Sequence, residues 1–382
     1  MTGSELSKAS EIISAEAANL IKPDVWVVEG TEVRSGEPLR ILYAGGESER
    51  HYFAQLAFEK AYHESHVGTI YLWSLRSMLA ANSLDCSMAV IDGHFLHRRI
   101  YGGKGDFFIP LWFEGVVDIP LAAHNKSTKY DLNKVKRNQL DYVVTDEECA
   151  FRRFYDEMYV PYVAARFEDS AVSGIYAIGY DDIMRMVRRG ACELLLVRKG
   201  DEFISGVTIV FGDRLPRLWA RFFGRGLPRL WASGIKDGDA SYLLQGASVA
   251  QDYFSSLYLS DQGYETMHVG LSRAFLGDGV VQYKKKWRMR VVDYIPRGFL
   301  VKPLRFSPAV KGFLTRNPFA HVCGKQLCGA IFCDDSSPSA EDTFEQLYDE
   351  YGLTGLSAVH IYQFDENGTV VRRTFSGDVD ES

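Results

Sequence analysis

The sequence predicts a mixed α/β fold, with two sheet-bearing units and a small C-terminal α/β piece. Three observations carry this prediction. Short β-branched and aromatic runs alternate with helical patterns from Ile41 onward. CELLLVRKG and DEFISGVTIVFGDR meet at a Lys-Gly turn, as the arms of a hairpin do. SAVHIYQF–DENG–TVVRRTF repeats that pattern near the end. At 382 residues the chain is longer than one average domain. The expected division is 1–38 as a helix and linker, 39–140 as an α/β unit, 141–303 as the main core and 304–382 as an acidic appendage.

Residues 1–38 read as a short amphipathic helix and a linker holding Pro23 and Pro38. ILYAG is a strand, and a helix is expected from Ser48 to about Glu64, with Phe53, Leu56, Ala57 and Lys60 at helical spacing. The Gly45-Gly46 junction is either a tight turn or a phosphate-binding helix start. CSMAVID is a strand, and FFIPLWFEGVVDIPL supplies one or two more, with prolines at their ends. A basic stretch, His124 to Gln139, precedes the strand DYVVT. Phe151, Phe154, Tyr155 and Met158 then mark a helix that Pro161 kinks or divides. DDIMRMVRRG is a second helix closed by Gly190.

After the first hairpin, LPRLWA occurs twice, at Leu215–Ala220 and Leu227–Ala232, which gathers Arg214, Arg217, Arg221, Arg225 and Arg229. Two copies are too few for a repeat architecture. The span is either a solvated strand face or a phosphate-facing ridge. A long helix follows from about Asp239 to Leu259, with Leu243, Leu244, Ala247, Ala250 and Phe254 along one face. YETMHVGL is the next strand, a short helix spans Gly279 to Trp287, and RMRVVDYIPRGFLV completes the sheet. In the tail, CGAIFCDD is a strand, and SPSAEDTFEQLYDEYG is a helix that Ser339 caps and Gly352 ends.

Apolar residues form 46% of the chain and charged residues 24%, a soluble balance. No apolar run approaches the roughly 18–20 residues of a membrane span, and the N-terminal stretch lacks the pattern of a signal peptide. Six scattered cysteines fit reduced thiols, so a cytoplasmic monomer or homodimer is expected. The net charge of −7 is unevenly spread. From Asp334 onward twelve acids and two arginines leave −10, so the preceding 333 residues carry +3. A phosphate-bearing ligand is therefore compatible with the body of the chain.

Three segments carry a family resemblance. They are KSTKYDLNKVKRNQL, FRRFYDEMYVPYVAARF and GLSRAFLGDGVVQYKKKW, together spanning most of residues 124–300. The combination resembles GNAT-superfamily acyltransferases of the FemABX/BioF2-like (CelD-like) branch. The resemblance implies a GNAT-like mixed sheet flanked by helices over 141–303, with 39–140 as a degenerate first GNAT-like unit. It also implies transfer of an acyl or aminoacyl group to an amine or hydroxyl. The donor is acyl-CoA, another thioester or an aminoacyl-tRNA, with no tightly bound cofactor. The acceptor is a small molecule or an envelope or polysaccharide precursor. Two neighbouring strands, Leu227 to Gly234 and Glu265 to Leu271, are expected to splay and admit the donor.

Helical spacing puts Val280, Tyr283, Lys284 and Trp287 on one face, with Lys285 and Lys286 turned to solvent. Lys284 either snorkels outward or enters a cleft, where its charge stabilises an oxyanion or phosphate. With the resemblance in view, Lys284, Asp278 and His268 are the catalytic candidates. His268 is either a base or a structural strand histidine, and Asp278-Gly279 is equally a plain turn. Tyr155, Tyr159, Gly270, Arg273 and Tyr283 are the substrate-side candidates, core packing being the other reading of both helix tyrosines. Trp231, Ala232, Gly234 and Gly238 are the donor-side candidates. The usual glycine-rich pyrophosphate loop is missing, since its place reads ASGIKDGDASY. The basic spans Lys126 to Arg137, Arg214 to Arg229 and Lys284 to Arg290 are available to tRNA phosphates.

His321, Cys323, Cys328 and Cys333 cluster in sequence, but C-x4-C-x4-C is not a usual zinc spacing, and no metal is expected. No G-x-S-x-G elbow is present. The competing class is a non-catalytic GNAT-like binding protein.

Overall fold

A computed structural model describes residues 21–94, 96–103, 105–166, 178–214, 226–333, 340–365 and 368–376. The expected helix at the start of the chain, the first LPRLWA copy with Arg217, Arg221 and Arg225, and the Ser339 cap lie outside these residues. Three mixed sheets flanked by helices are present. The chain divides into two compact units. One contains Met1–Phe113, Arg273–Val281 and Asp293–Ser382, and the other Glu114–Ser272 and Gln282–Val292. The expected boundaries at 140 and 303 are therefore corrected. Arg297–Pro303 hydrogen-bonds between Met88–His94 and Phe107–Pro110, which ties residues near 300 to the N-terminal region.

The six-stranded sheet of the first unit has the order Phe58–Thr69, Asp24–Glu32, Pro38–Ala44, Met88–His94, Arg297–Pro303, Phe107–Pro110. Asp24–Glu32 falls where a linker was expected. Its Val25, Val27 and Val28 are buried; Pro23 precedes this strand and Pro38 is the first residue of the next, where a missing N–H is tolerated. The helix expected to reach Glu64 stops at Ala57, and Phe58–Thr69 pairs antiparallel with Asp24–Glu32. Lys60 thus lies on a strand. At the start of this helix Gly45 has φ +147, and a Cβ there would lie 2.5 Å from that of Asp92. The Asp92 carboxylate, held also by Arg297, accepts from the Gly46 amide. The chain's own carboxylate thus fills the phosphate position considered for the Gly-Gly junction.

Phe319–Cys323, Gln326–Cys333, Ala358–Asp365 and Gly368–Ser376 form a four-stranded sheet in the same unit. The first of these strands and the helix Pro308–Arg316 were not foreseen. Phe107 stands edge-on to Phe319, Phe332 and Tyr362 at 5.2, 5.5 and 5.6 Å. Such pairs add about 0.5–1.5 kcal/mol each beyond the area they bury. The expected appendage is therefore part of the first unit's core.

The seven-stranded sheet of the second unit runs Arg290–Tyr294, Phe113–Asp118, Thr266–Ser272, Pro228–Ile235, Glu202–Phe211, Cys192–Lys199, Leu140–Thr145. The last four are antiparallel neighbours, including the expected hairpin, whose turn uses Gly200 at φ +61. Pro228–Ile235 and Thr266–Ser272 are parallel, with the helix Ala247–Asp261 in the connection between them. This is the arrangement expected of a GNAT-like core. It starts earlier than predicted, because Phe113–Asp118 belongs to it. RMRVVDYIPRGFLV, expected to complete one sheet, supplies a strand to each of two.

The expected long helix is broken. Gly246, at φ +95, separates Ala240–Leu244 from Ala247–Asp261. Leu244 is 77% exposed, whereas Ala247, Ala250 and Phe254 are buried, so the predicted apolar stripe begins only after the break. Ahead of the sheet's centre, Glu148–Phe154 runs into a π-helical turn at Tyr155–Tyr159 and then Val160–Arg166. Pro161 brings no amide hydrogen to the helical ladder, and the wider turn immediately precedes it.

Candidate functional site

The site grows from the two parallel neighbours of the second unit. They pair at one position, Arg229 opposite His268, and the ladder goes no further. Two local features keep Pro228–Ile235 from continuing straight. Its pairing with Glu202–Phe211 skips between Leu230 and Ser233, a bulge at Trp231-Ala232. Thr208 fixes that bulge, its Oγ1 accepting from Ala232 N at 2.9 Å. Beyond it Gly234 lies against the π-helical turn, where a Cβ would come within 2.7 Å of the Met158 carbonyl carbon and the Tyr159 nitrogen. Gln251, buried on the crossing helix, donates to the Gly206 and Gly234 carbonyls and accepts from Ser233 Oγ.

At the other strand's exit, Gly270 adopts φ +75, and its carbonyl is 3.3 Å from Lys284 Nζ. The same ammonium donates to Leu271 O and Ser272 Oγ, both at 2.9 Å. Lys284 therefore does not snorkel to solvent. It lines a small pocket with Val117, Leu121, Asp252, Val269, Tyr283 and Trp287, with a free volume of about 30 Å³. Tyr283 donates its hydroxyl to Asp252 Oδ2 at 2.7 Å. Asp252 as a residue is only partly buried, yet protein atoms surround its carboxyl and push its pKa up to about 6, against the Tyr283 hydrogen bond and the Lys284 and Lys286 charges. Burial, with the neighbouring Asp252 charge, raises the Tyr283 hydroxyl well above its ordinary value.

Sequence reading missed Asp252. It sits among apolar helix positions and looks like any surface acid, and its partner lies 31 residues away. A signal was present only as an acid flanked by the buried positions Gln251 and Ser255.

The other candidates are distributed differently. Asp278 Oδ1 accepts from Val280 N and Val281 N, so it caps the helix Gly279–Lys286. Arg273, in the first unit, is buried. It pairs with Glu49 at 2.9 Å and sits 4.1 Å from the ring centres of both Tyr52 and Trp112. These contacts account for its burial in the first unit. His268 is buried with Nε2 3.9 Å from Glu114, whose other oxygen holds Arg229 at 2.7 Å. It lies beside the Arg229–Glu114 ion pair at the single strand pair. Tyr159 is core, its hydroxyl accepting from Ile178 N at 2.7 Å, and Tyr155 packs on it and on Tyr180.

On the donor side, Ala232 is buried and Trp231 is partly buried against that core. Gly238, at φ +67, lies against the Pro161 carbonyl. Lys286, expected in solvent, instead pairs with Asp131, and Val281 rather than Val280 is the fully buried residue of its helix.

Among the described residues, three arginines of the basic spans are paired within the chain. Arg214 pairs with Glu193, Arg229 with Glu114 and Arg290 with Asp118. The helix Lys126–Arg137 keeps an exposed basic face, with an open hollow of about 410 Å³ lined by Tyr130, Asn133, Lys134, Lys136 and Arg137. Among the described residues, no helix is long and apolar enough to cross a membrane.

No family model matches the chain, and no curated protein matches its sequence. Solved structures do resemble it in part. The C-terminal domain of a putative lysylphosphatidylglycerol synthetase from Agrobacterium fabrum is 12% identical, with a TM-score of 0.34 over 79% of this chain and 92% of that one. L-PGS from Bacillus licheniformis is 11% identical, with a TM-score of 0.35 over 81% and 95%. A tandem GNAT protein from the clavulanic acid biosynthesis pathway is 10% identical, with a TM-score of 0.29 over 71% and 79%. Likeness at this level carries no argument, and the site rests on its own geometry.

Proposed function

We propose that the second unit is a GNAT-type acyltransferase of the FemABX/BioF2-like kind. It moves an acyl or aminoacyl group from a thioester or aminoacyl-tRNA to an amine or hydroxyl of a small metabolite or envelope precursor. One observation carries the reading. Two parallel neighbours pair at a single position, and a carboxyl–phenol–ammonium group lies in the pocket at the exit of one of them.

In this mechanism the acceptor nitrogen or oxygen attacks the acyl carbonyl carbon, and the bond from that carbon to the donor's sulfur or oxygen breaks. The acceptor's proton passes to Asp252, whose raised pKa makes it a stronger base than an ordinary carboxylate. Tyr283 orients that carboxyl. Lys284 holds the strand exit by the Gly270 and Leu271 carbonyls, and its charge favours the negative charge developing on the acyl oxygen. No enzyme thiol takes part.

Thermal-shift and native mass-spectrometry screens of acyl-CoAs and of charged tRNAs test the reading. Stabilisation by one donor class, and acyl transfer that Lys284→Ala abolishes in a folded protein, are expected. Binding of neither donor class refutes it. The competing reading is a non-catalytic GNAT-like binder using the same cleft. In that case a ligand binds and no donor is ever turned over.

A further inference from the structure

We propose that Cys323, Cys328 and His360 form a site for a thiophilic divalent cation, zinc in the first instance. Their ligand atoms all lie within 4.8 Å of one another. A tetrahedral zinc, with bonds of about 2.0–2.3 Å, needs them roughly 3.5–3.8 Å apart, so closure takes side-chain rotations of about 1 Å.

The C-x4-C spacing argued against metal only while the cysteines were read along the chain. In space a hairpin removes the objection. Phe319–Cys323 pairs with Gln326–Cys333 in a register that sets Cys323 opposite Gln326 and His321 opposite Cys328. Residues two apart on a strand share a face, so His321, Cys323 and Cys328 project to one side. The parallel strand Ala358–Asp365 places His360 beside Ala330, on that same face. Cys333, an odd number of residues from Cys328, projects to the other face, and its Sγ lies 3.4 Å from the Tyr362 carbonyl.

The surroundings suit ligation. Thr374, the cross-strand partner of His360, has its hydroxyl 3.0 Å from Nδ1, which fixes the ring and assigns Nε2 to the metal. Ser357 Oγ, which donates to the Leu327 carbonyl at 2.9 Å, also lies 3.2 Å from Cys328 Sγ. Two thiolates and an imidazole select zinc over magnesium or calcium, which take oxygen ligands. Cys328 is buried, while Cys323 and His360 are partly exposed, so an ion can enter. His321, packed edge-on against Phe107 and Phe319, has Nε2 3.6 Å from Cys323 Sγ, so the fourth position falls to this imidazole or to solvent.

The full-length protein, purified under reducing conditions, is dialysed against zinc and its metal content measured. Metal-stripped protein is then titrated with cobalt(II). One zinc per chain and a thiolate-to-cobalt charge-transfer band are expected for the wild type and for Cys333→Ser. Cys328→Ser and His360→Asn lose both, with circular dichroism checking their fold. Thr374→Val binds about 10–100-fold more weakly. The proposal is overturned if wild-type protein retains no more zinc than a Cys323→Ser/Cys328→Ser double variant. A cobalt spectrum without thiolate bands, or equal damage from Cys333→Ser, overturns it as well.

Discussion

Asp252 offers the sharpest prediction about the site. Its carboxyl rises from 3.8 to about 6 mainly because burial penalises the charge. The folded protein thus holds this proton more tightly than the unfolded chain does. Stability from this group is full below pH ~4 and is lost as pH rises through about 6. A tenfold change in proton affinity is worth about 1.4 kcal/mol, so ionisation costs at most about 3 kcal/mol. Partial exposure lowers that figure to about 1–3 kcal/mol. Asparagine keeps the shape and an acceptor for the Tyr283 hydroxyl, and carries no charge. Asp252→Asn is therefore expected to be more stable than wild type by about 1–3 kcal/mol at pH 7.5 and equal to it near pH 4. Urea unfolding of both proteins across that range measures the difference. A gap that does not change with pH, or a variant less stable at pH 7.5, refutes the assignment of a strained ionised carboxylate.

Other perturbations test the packing around the site and in the first unit. Arg273→Ala strips Glu49 of a buried ionic partner and empties the space between Tyr52 and Trp112. A loss of about 3–5 kcal/mol in chemical denaturation is expected, partly recovered in Arg273→Met/Glu49→Met. Gly234→Ala drives a methyl into the backbone of Met158 and Tyr159 and is expected to cost about 1–3 kcal/mol by the same method. Thr208→Val leaves the buried Ala232 amide without its acceptor, for a loss of about 1–3 kcal/mol and faster amide exchange at that bulge.

Elements that carry their own local signal were legible in the sequence. The hairpin of Cys192–Lys199 and Glu202–Phe211 has strands rich in apolar residues and a glycine where φ must be positive. Phe151, Phe154 and Met158 mark their helix because its one apolar face is buried almost completely. Local signals misled where distant pairing overrides local preference. Ala57 to Glu64 contains good helix formers, yet pairing with Asp24–Glu32 draws Phe58 onward into a strand. Leu243 and Leu244 fit the stripe of a longer helix, and Gly246 breaks it. The site was half visible. Lys284 and Tyr283 stood out by sharing a helical face, whereas Asp252 meets them only through the fold. Asp278 and Arg273 looked chemical in sequence, and the structure uses them as a cap and a buried ion-pair partner.

The most direct measurement is the pH dependence of donor turnover by wild type and Asp252→Asn, once a screen has supplied a donor. Wild-type rate is expected to rise through pH about 6 and then level off. The variant is expected to lose about 10²–10⁴-fold in rate together with that limb of the profile. Undiminished turnover in Asp252→Asn, with the same pH profile, contradicts a group transfer that relies on this carboxyl.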